Sequence, residues 1–170
     1  MDQLFSNKLI KEPRKADNIE FRALEITDFE KGFSELLQQL TEAKFEKSKF
    51  LERFIQMKNQ PDTYYIIVAE DITTNRICAT GCLFVEKKFI RSCGTCAHIE
   101  DIVVDSRYRG KNLGLKVIEH LKHIGNTLGC YKLILDCDEK NVKFYEKCGF
   151  ERKGVQLSCY NTTIIPKAKL

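Results

Sequence analysis

Apolar positions along this chain recur with two periods, one suited to helices and one to strands. Behind Thr27-Asp28-Phe29-Glu30, a capping-box sequence, Phe29, Phe33, Leu36, Leu37 and Leu40 fall on one helical stripe. Phe50, Leu51, Phe54, Ile55 and Met57 make a second stripe, which closes before Pro61 because the residue preceding a proline avoids helical geometry. Between Ile19 and Leu24 a short run predicts a first strand. Thr63 to Glu70 (TYYIIVAE) and Arg76 to Glu86 (RICATGCLFVE) are rich in β-branched and aromatic residues, and the polar stretch Asp71 to Asn75 joins them as a β-hairpin. A third long strand, Cys96 to Val104, is followed by a helix carrying Leu113, Val117, Leu121, Ile124 and Leu128 and stopping near Gly129. Tyr131 to Cys137 reads as a short buried strand, Asn141 to Cys148 as a short helix ended by Gly149, and Phe150 to Tyr160 as a last strand. The predicted order, β-α-α-β-β-β-α-β-α-β, has no internal repeat and describes one mixed α/β domain over residues 19–160. Residues 1–18 are expected to be a loose polar arm, and 161–170 a tail.

The chain has 170 residues, of which 43% are hydrophobic and 31% charged, enough for one ordinary core. A net charge of +4 is small for a surface built to neutralise many phosphates, and no zinc-finger spacing, aromatic RNA-binding pattern or basic recognition helix accompanies it, so no nucleic-acid partner is expected. No stretch reaches the roughly 20 apolar residues of a membrane span, and the first residues lack a signal-peptide core, so the expected location is cytoplasmic. Six of the 8 cysteines, Cys78, Cys82, Cys130, Cys137, Cys148 and Cys159, sit mostly in or beside apolar runs and read as reduced thiols. Cys93-Gly-Thr-Cys96, with His98 two residues on, invites a zinc or redox reading. There is no second such pair and no helix pattern behind it, so no metal is expected.

The segment that carries chemistry is IEDIVVDSRYRGKNLGLKVI, residues 99–118, where a strand ends, a basic glycine-containing loop turns and a helix begins. The first N–H groups of a helix have no intrahelical acceptor and the helix dipole adds positive charge, so this is a site for an anion such as a pyrophosphate. Arg107, Arg109, Lys111 and Lys116 add positive charge with no acid among them, and Gly110 and Gly114 permit close backbone approach. The pattern is neither a Walker loop nor a dinucleotide fingerprint. Upstream, Glu100 and Asp101 interrupt an apolar strand. Buried acids need partners, and strand alternation sends one to each face unless a bulge re-aims the other.

Arg109-Gly110-Lys111-Asn112-Leu113-Gly114 resembles the acetyl-CoA pyrophosphate loop of the GNAT acetyltransferase superfamily, with Asn112 departing from the small residue usual there. HIEDIVV at 98–104 and GCYKLILDCDEKNVKFYEKCGF at 129–150 narrow the resemblance to the eukaryotic glucosamine 6-phosphate N-acetyltransferase family, over most of residues 19–157. That resemblance implies a single GNAT-like domain with a mixed, mostly antiparallel sheet flanked by helices and a splayed central strand pair. It implies transfer of acetyl from acetyl-CoA to the 2-amino group of glucosamine 6-phosphate by direct attack, on the path to UDP-N-acetylglucosamine, by a homodimer whose last strand exchanges between subunits.

The matching positions carry the family's roles as expectations. Acetyl-CoA would lie on Ile102, Val103 and Val104, on Arg109, Gly110, Lys111, Asn112, Leu113, Gly114 and Leu115, and against Asp136, Asn141 and Tyr145. Main-chain N–H groups near Ile102 to Val104 would hold the oxyanion, Tyr145 would serve the departing thiolate, and Asp136 would orient or deprotonate the amine. Glu100, Asp101 and Ile102 would meet the sugar and its amine. Its phosphate and remaining atoms would fall to Thr41, Lys88, Phe89, Ile90, Arg91, Tyr131 and Lys132. Where the family has a basic residue from the partner subunit near the end of the last strand, ungapped alignment puts Tyr160 here, with Arg152, Lys153 or Lys167 as substitutes. Two other readings remain open: an acetyltransferase for another small amine or a protein amine, and a CoA-binding interaction domain without turnover. Cys137, beside Asp136, is a further expectation, as a partner for the CoA thiol in a mixed disulfide.

Overall fold

A computed structural model describes residues 2–161. The chain forms two compact units, Met1–Leu135 and Asp136–Leu170. In the first, six strands form one sheet in sequence order: β1 (Lys15–Ala16), β2 (Ile19–Ala23), β3 (Tyr64–Asp71), β4 (Arg76–Lys87), β5 (Thr95–Val104) and β6 (Lys132–Ile134). Every neighbouring pair is antiparallel except β5 and β6, which are parallel. The predicted hairpin is present as β3 and β4, with Asn75 taking the positive φ that Asn tolerates in the turn.

The helices of this unit are α1 (Phe33–Leu37), α2 (Lys47–Lys58), a one-turn segment α3 (Ile90–Cys93) and α4 (Leu113–Thr127). From Tyr65 to Asp71 every residue of β3 is buried, which requires cover on both faces of the sheet. On α4, Val117, Ile118, Leu121 and Ile124 are fully buried. A cluster of Leu24, Phe33, Leu36, Phe50, Phe54, Ile66 and Val68 joins α1 and α2 to the sheet. Three of its aromatic rings stack in series, with Phe33–Phe50 and Phe50–Phe54 centroids 5.8 and 6.1 Å apart.

Three expectations change here. The first helix begins at Phe33 rather than behind Thr27, because Glu30, the acid of the capping box, pairs with Lys47 instead. Asp28 takes the Arg22 guanidinium in a fork of 2.8 and 2.6 Å and the Glu25 N–H at 2.8 Å. Glu70 accepts Arg22 Nε and Nη2 at 2.9 and 2.6 Å, the Ala23 carbonyl accepts Nη1 at 3.1 Å, and Lys31 reaches the other Glu70 oxygen at 2.8 Å. All five guanidinium N–H bonds are thereby used in a buried ion-pair network. Second, the expected loose arm is built into the fold. Lys15–Ala16 pairs with β2, Leu4 N–H donates to the Leu24 carbonyl at 2.8 Å, and Leu4 and Ile10 are buried. Third, Phe150–Tyr160 forms no strand among the described residues, and Val155 and Leu157 are almost wholly exposed.

The second unit holds the 3₁₀ turn Glu139–Asn141 and α5 (Val142–Lys147), ended at Gly149 with φ 85°. The Arg152 guanidinium closes back on the Glu139 carboxylate in a fork of 2.8 and 2.9 Å.

Candidate active site

The defining feature is an interruption in β5. Glu100 pairs with Cys82 and Val103 with Thr80, so Asp101 and Ile102 together face only Gly81. Asp101 has φ 53°, the left-handed geometry of a bulge. Gly81 is required there. A Cβ on it would stand 2.3 Å from Ile102 Cδ1 and 2.8 Å from Val117 Cγ1. This residue was missed in the sequence, although a lone glycine inside a strand pattern is the usual signal for a bulge.

On its other edge β5 pairs with β6 only from Cys96 to His98, and beyond His98 no described strand continues the ladder. The two parallel strands therefore part, as the resemblance implied, and the main chain at Ile102, Val103 and Val104 borders the opening. Glu100 and Asp101 are exposed, which corrects the expectation of buried acids, since the bulge turns both out of the regular alternation. Their charge is felt nearby. Burial first, and then Asp101 and Glu100, push the Cys82 thiol up to about 12. The same carboxylates favour an approaching ammonium. Asp101 and Cys82 line a cleft of about 380 Å³ whose wall is built by Phe33, Phe45, Phe50 and Phe54.

Below the bulge, the strand end is anchored before the basic loop begins. Asp105 accepts Arg107 Nε and Nη2 at 3.0 and 2.7 Å as well as its N–H at 2.9 Å, and this holds its carboxyl down at about 2. Arg107 is thus committed to the protein and is removed from the expected phosphate set. Tyr108 donates to Asp71 at 2.7 Å, and Lys111 Nζ lies 5.1 Å from the Tyr108 ring centre. The loop then turns through Gly110 at φ 81° and Asn112 at φ 57°. Asn112 was the residue that departed from the small-residue pattern. Its conformation explains the tolerance, because asparagine enters the left-handed region at little cost.

The first intrahelical bond of α4 runs from Lys116 N–H to the Asn112 carbonyl at 3.1 Å, and no side chain caps the helix. The N–H groups of Leu113, Gly114 and Leu115 accordingly face the loop's open side. With Arg109, Lys111 and Lys116 beside them, these donors suit the pyrophosphate of acetyl-CoA.

At the other end of β5 lies the basic connection. Lys88 N–H donates to the Gly94 carbonyl at 3.0 Å, and Tyr131 N–H to the Thr95 carbonyl at 2.9 Å, which bring residues 88–95 and 131–132 together. Arg91, Ser92 and Cys93 are successively left-handed, with φ 58°, 55° and 58°. Three such residues in a row cost about 1–2 kcal/mol each, a strain that points to function at this turn. Phe89 and Ile90 are exposed, and Lys132 Nζ sits 5.8 Å from the Tyr131 ring centre. Arg91, Tyr131 and Lys132 therefore share one rim with Lys88, whose Nζ is engaged with the Glu86 carboxylate at 2.6 Å. Thr41 lies apart in sequence, just beyond α1, where its N–H donates to the Leu37 carbonyl at 3.2 Å.

Asp136, Asn141 and Tyr145 belong to the second unit. Asp136 is exposed directly after the first unit, Asn141 ends the turn that precedes α5, and Tyr145 packs between Phe144 and Phe150 with ring centroids 5.0 and 6.3 Å away. Burial first, then Asp136, Asp138 and Glu139, raises the Cys137 thiol pKa and disfavours the thiolate that disulfide exchange requires. Arg152 is engaged with Glu139, Tyr160 is half-exposed, and Lys167 lies outside the described residues.

A parting pair of parallel strands, a bulge at the parting and an uncapped helix beneath a basic loop define a class of acyl-CoA-dependent transferases. The profile of the acetyltransferase (GNAT) family matches residues 23–150, and the chain belongs to that family, whose members use acetyl-CoA. More specifically, it is 68% identical over 147 residues to glucosamine 6-phosphate N-acetyltransferase 1 of Dictyostelium discoideum, covering 86% of this chain and 94% of that one. It is 49% identical over 146 residues to the Arabidopsis thaliana glucosamine 6-phosphate N-acetyltransferase, covering 85% and 98%. A crystal structure of the Arabidopsis enzyme superposes with a TM-score of 0.82 at 48% identity, over 85% of this chain and 99% of that one.

Proposed function

We propose that this acetyltransferase moves the acetyl group of acetyl-CoA to the 2-amino group of glucosamine 6-phosphate, giving N-acetylglucosamine 6-phosphate and CoA. The observation that carries the reading is the spacing of two charged regions along β5. The Lys88, Arg91 and Lys132 rim lies level with Cys96, the partner of Lys132, whereas the carboxylates of Glu100 and Asp101 begin four residues further on. At about 3.3 Å per residue this separation is roughly 13 Å, which a hexosamine phosphate and an extended lysine span together. A phosphate at one end and an amine at the other fit the two signs of charge.

The neutral amine attacks the thioester carbonyl in a ternary complex. A C–N bond forms, the C–S bond breaks, and the ammonium proton leaves while the thiolate takes one. Main-chain N–H groups at Ile102–Val104 receive the oxyanion, Asp136 orients or deprotonates the amine, Glu100 and Asp101 hold the sugar, and Tyr145 gives a proton or hydrogen bond to sulfur. Electron withdrawal by the sugar oxygens already lowers the amine pKa below that of a lysine, so one carboxylate suffices, and direct attack on a thioester calls for no metal. The exposed apolar positions Val155 and Leu157 support a homodimer in which the last segment pairs with the partner subunit. The domain then takes in the packed segment from Leu4 as well as residues 19–160, and works in the cytoplasm.

The test follows CoA release from acetyl-CoA with a thiol reagent, comparing glucosamine 6-phosphate with glucosamine, spermidine and a lysine peptide. Rapid turnover of the phosphorylated sugar and weak turnover of glucosamine is the expected result. Preference for spermidine or the peptide refutes the acceptor assignment, and CoA binding with no turnover of any amine refutes the enzyme reading.

A further inference from the structure

The cysteine pair that stands out in the sequence, Cys93 and Cys96, is not brought together as a metal site. Cys93 lies exposed on the left-handed turn. Cys96 points instead to a different set. It is the cross-strand partner of Glu86, and His98 stands two residues along β5 on the same face. One ligand atom from each of Glu86, Cys96 and His98 lies within 4.8 Å of the other two. We propose that Glu86, Cys96 and His98 form a binding site for a divalent cation of the zinc class, held by a carboxylate oxygen, a thiolate and an imidazole nitrogen, with water in the fourth position.

The donor set has the borderline-soft character that selects zinc over magnesium or calcium. Geometry is close to what coordination needs. Zinc bonds of roughly 2.0–2.1 Å to nitrogen and oxygen and 2.3 Å to sulfur place tetrahedral ligand atoms about 3.3–3.6 Å apart. Glu86 Oε2 and His98 Nε2 are already 2.9 Å apart, joined by a hydrogen bond. Replacing that hydrogen bond with the cation opens their gap by a few tenths of an ångström, while the sulfur, within 4.8 Å of both, closes by at most about 1.5 Å.

The imidazole is held in place by the Phe84 ring, 5.7 Å away edge-on, which in turn packs on Tyr64. Glu86 is oriented by Lys88, whose Nζ donates to Oε1 at 2.6 Å and leaves Oε2 for the site. Cys96 is fully buried while Glu86 and His98 are partly exposed, so a cation enters from the His98 side. Binding expels the Cys96 thiol proton to solvent, places the imidazole proton on Nδ1 so that Nε2 is free to ligate, leaves the ion's oxidation state unchanged, and tightens as pH rises. Neither the acceptor assignment nor the acetyl-transfer chemistry enters this inference.

The experiment uses the reduced, metal-free full chain, with Zn²⁺ titrated against a chromogenic chelator and Co²⁺ as a spectroscopic reporter. One ion per chain is expected, with a cobalt–thiolate charge-transfer band. Glu86→Gln, Cys96→Ser and His98→Gln should each weaken binding about a hundredfold, at or beyond the upper end of losses seen when only a supporting residue is changed. Cys93→Ser and Cys159→Ser should leave it intact. His98 is partly exposed, so circular dichroism of His98→Gln separates a lost ligand from a lost fold. Full affinity in a folded His98→Gln variant, absence of the thiolate band, or stoichiometry that follows Cys93 or Cys159 would overturn the assignment.

Discussion

Replacing Gly81 with alanine tests whether close packing shapes the bulge that the chemistry depends on. The added Cβ would meet Ile102 Cδ1 at 2.3 Å, Val117 Cγ1 at 2.8 Å and Leu121 Cδ1 at 3.1 Å. Ordinary carbon contacts lie at roughly 3.5–4.0 Å, so Ile102 must retreat by more than about 1 Å and Val117 by about 0.7 Å. Ile102 sits on the bulge itself, whereas Val117 is β-branched, fully buried on α4 and has little rotamer freedom to yield. Overpacking of this kind costs about 1–3 kcal/mol, or roughly 2–12 °C in melting temperature for a chain of this size. Ile102, which must move furthest, is one of the residues assigned to the oxyanion. A misplacement of about 1 Å near reacting groups can cost about a hundredfold, so kcat should fall by about ten- to a hundredfold. The assay pairs thermal unfolding with CoA release from acetyl-CoA. Gly125→Ala is the control, since its Cβ meets only the flexible end of Leu133 at 3.0–3.2 Å and alanine favours the helix. If Gly81→Ala melts with the parent and turns over within twofold of it, the bulge does not depend on this contact and the reasoning fails.

Two perturbations probe the first unit's electrostatics. Asp28 is fully buried, so Asp28→Ala strands part of the Arg22 charge and should cost about 3–5 kcal/mol in urea unfolding at neutral pH. Replacing Arg22, Asp28 and Glu70 together with Met, Leu and Leu should cost less than the single change. A single-variant loss below about 1 kcal/mol would show that the network does not hold these elements. His120 is buried against Phe21, with ring centroids 4.6 Å apart and Nδ1 lacking a hydrogen-bond partner among the described residues. Burial, aided by Lys11 and His123, holds its pKa down at about 4, below the ordinary 6.5. The native state therefore binds fewer protons than the unfolded chain between those values, and stability from this group declines as pH falls through 6.5 towards 4. The loss at pH 5 relative to pH 7.5 is about 2 kcal/mol. His120→Leu should flatten that decline in unfolding measured across the range, and an unchanged slope would refute the burial account.

Long elements with one clear period were legible in the sequence: α2, the β3–β4 hairpin, β5 and α4 all lie where their apolar spacing puts them. The basic glycine-containing turn into α4 was legible too, because glycine, basic residues and a helix start are local features. Tertiary structure reassigned residues whose side chains had two uses. Glu30 could close a capping box or pair with Lys47, and it takes the second choice, with α1 starting only at Phe33. Arg107 resembled a phosphate ligand until Asp105, two residues away, took it in a fork. The first 18 residues carry too little apolar pattern to signal order, yet the β2 edge and the Leu24 carbonyl supply partners for their backbone.

Period and composition thus determined the element types, the mixed α/β class and the basic turn into α4, since all three depend on neighbours within a few positions. The bulge at Asp101, the parting of β5 from β6 and the meeting of Glu86 with Cys96 and His98 were decided by pairing between strands. Register sets which residues oppose each other. A shift of one residue turns every side chain to the other face, so these sites exist only once the sheet has formed.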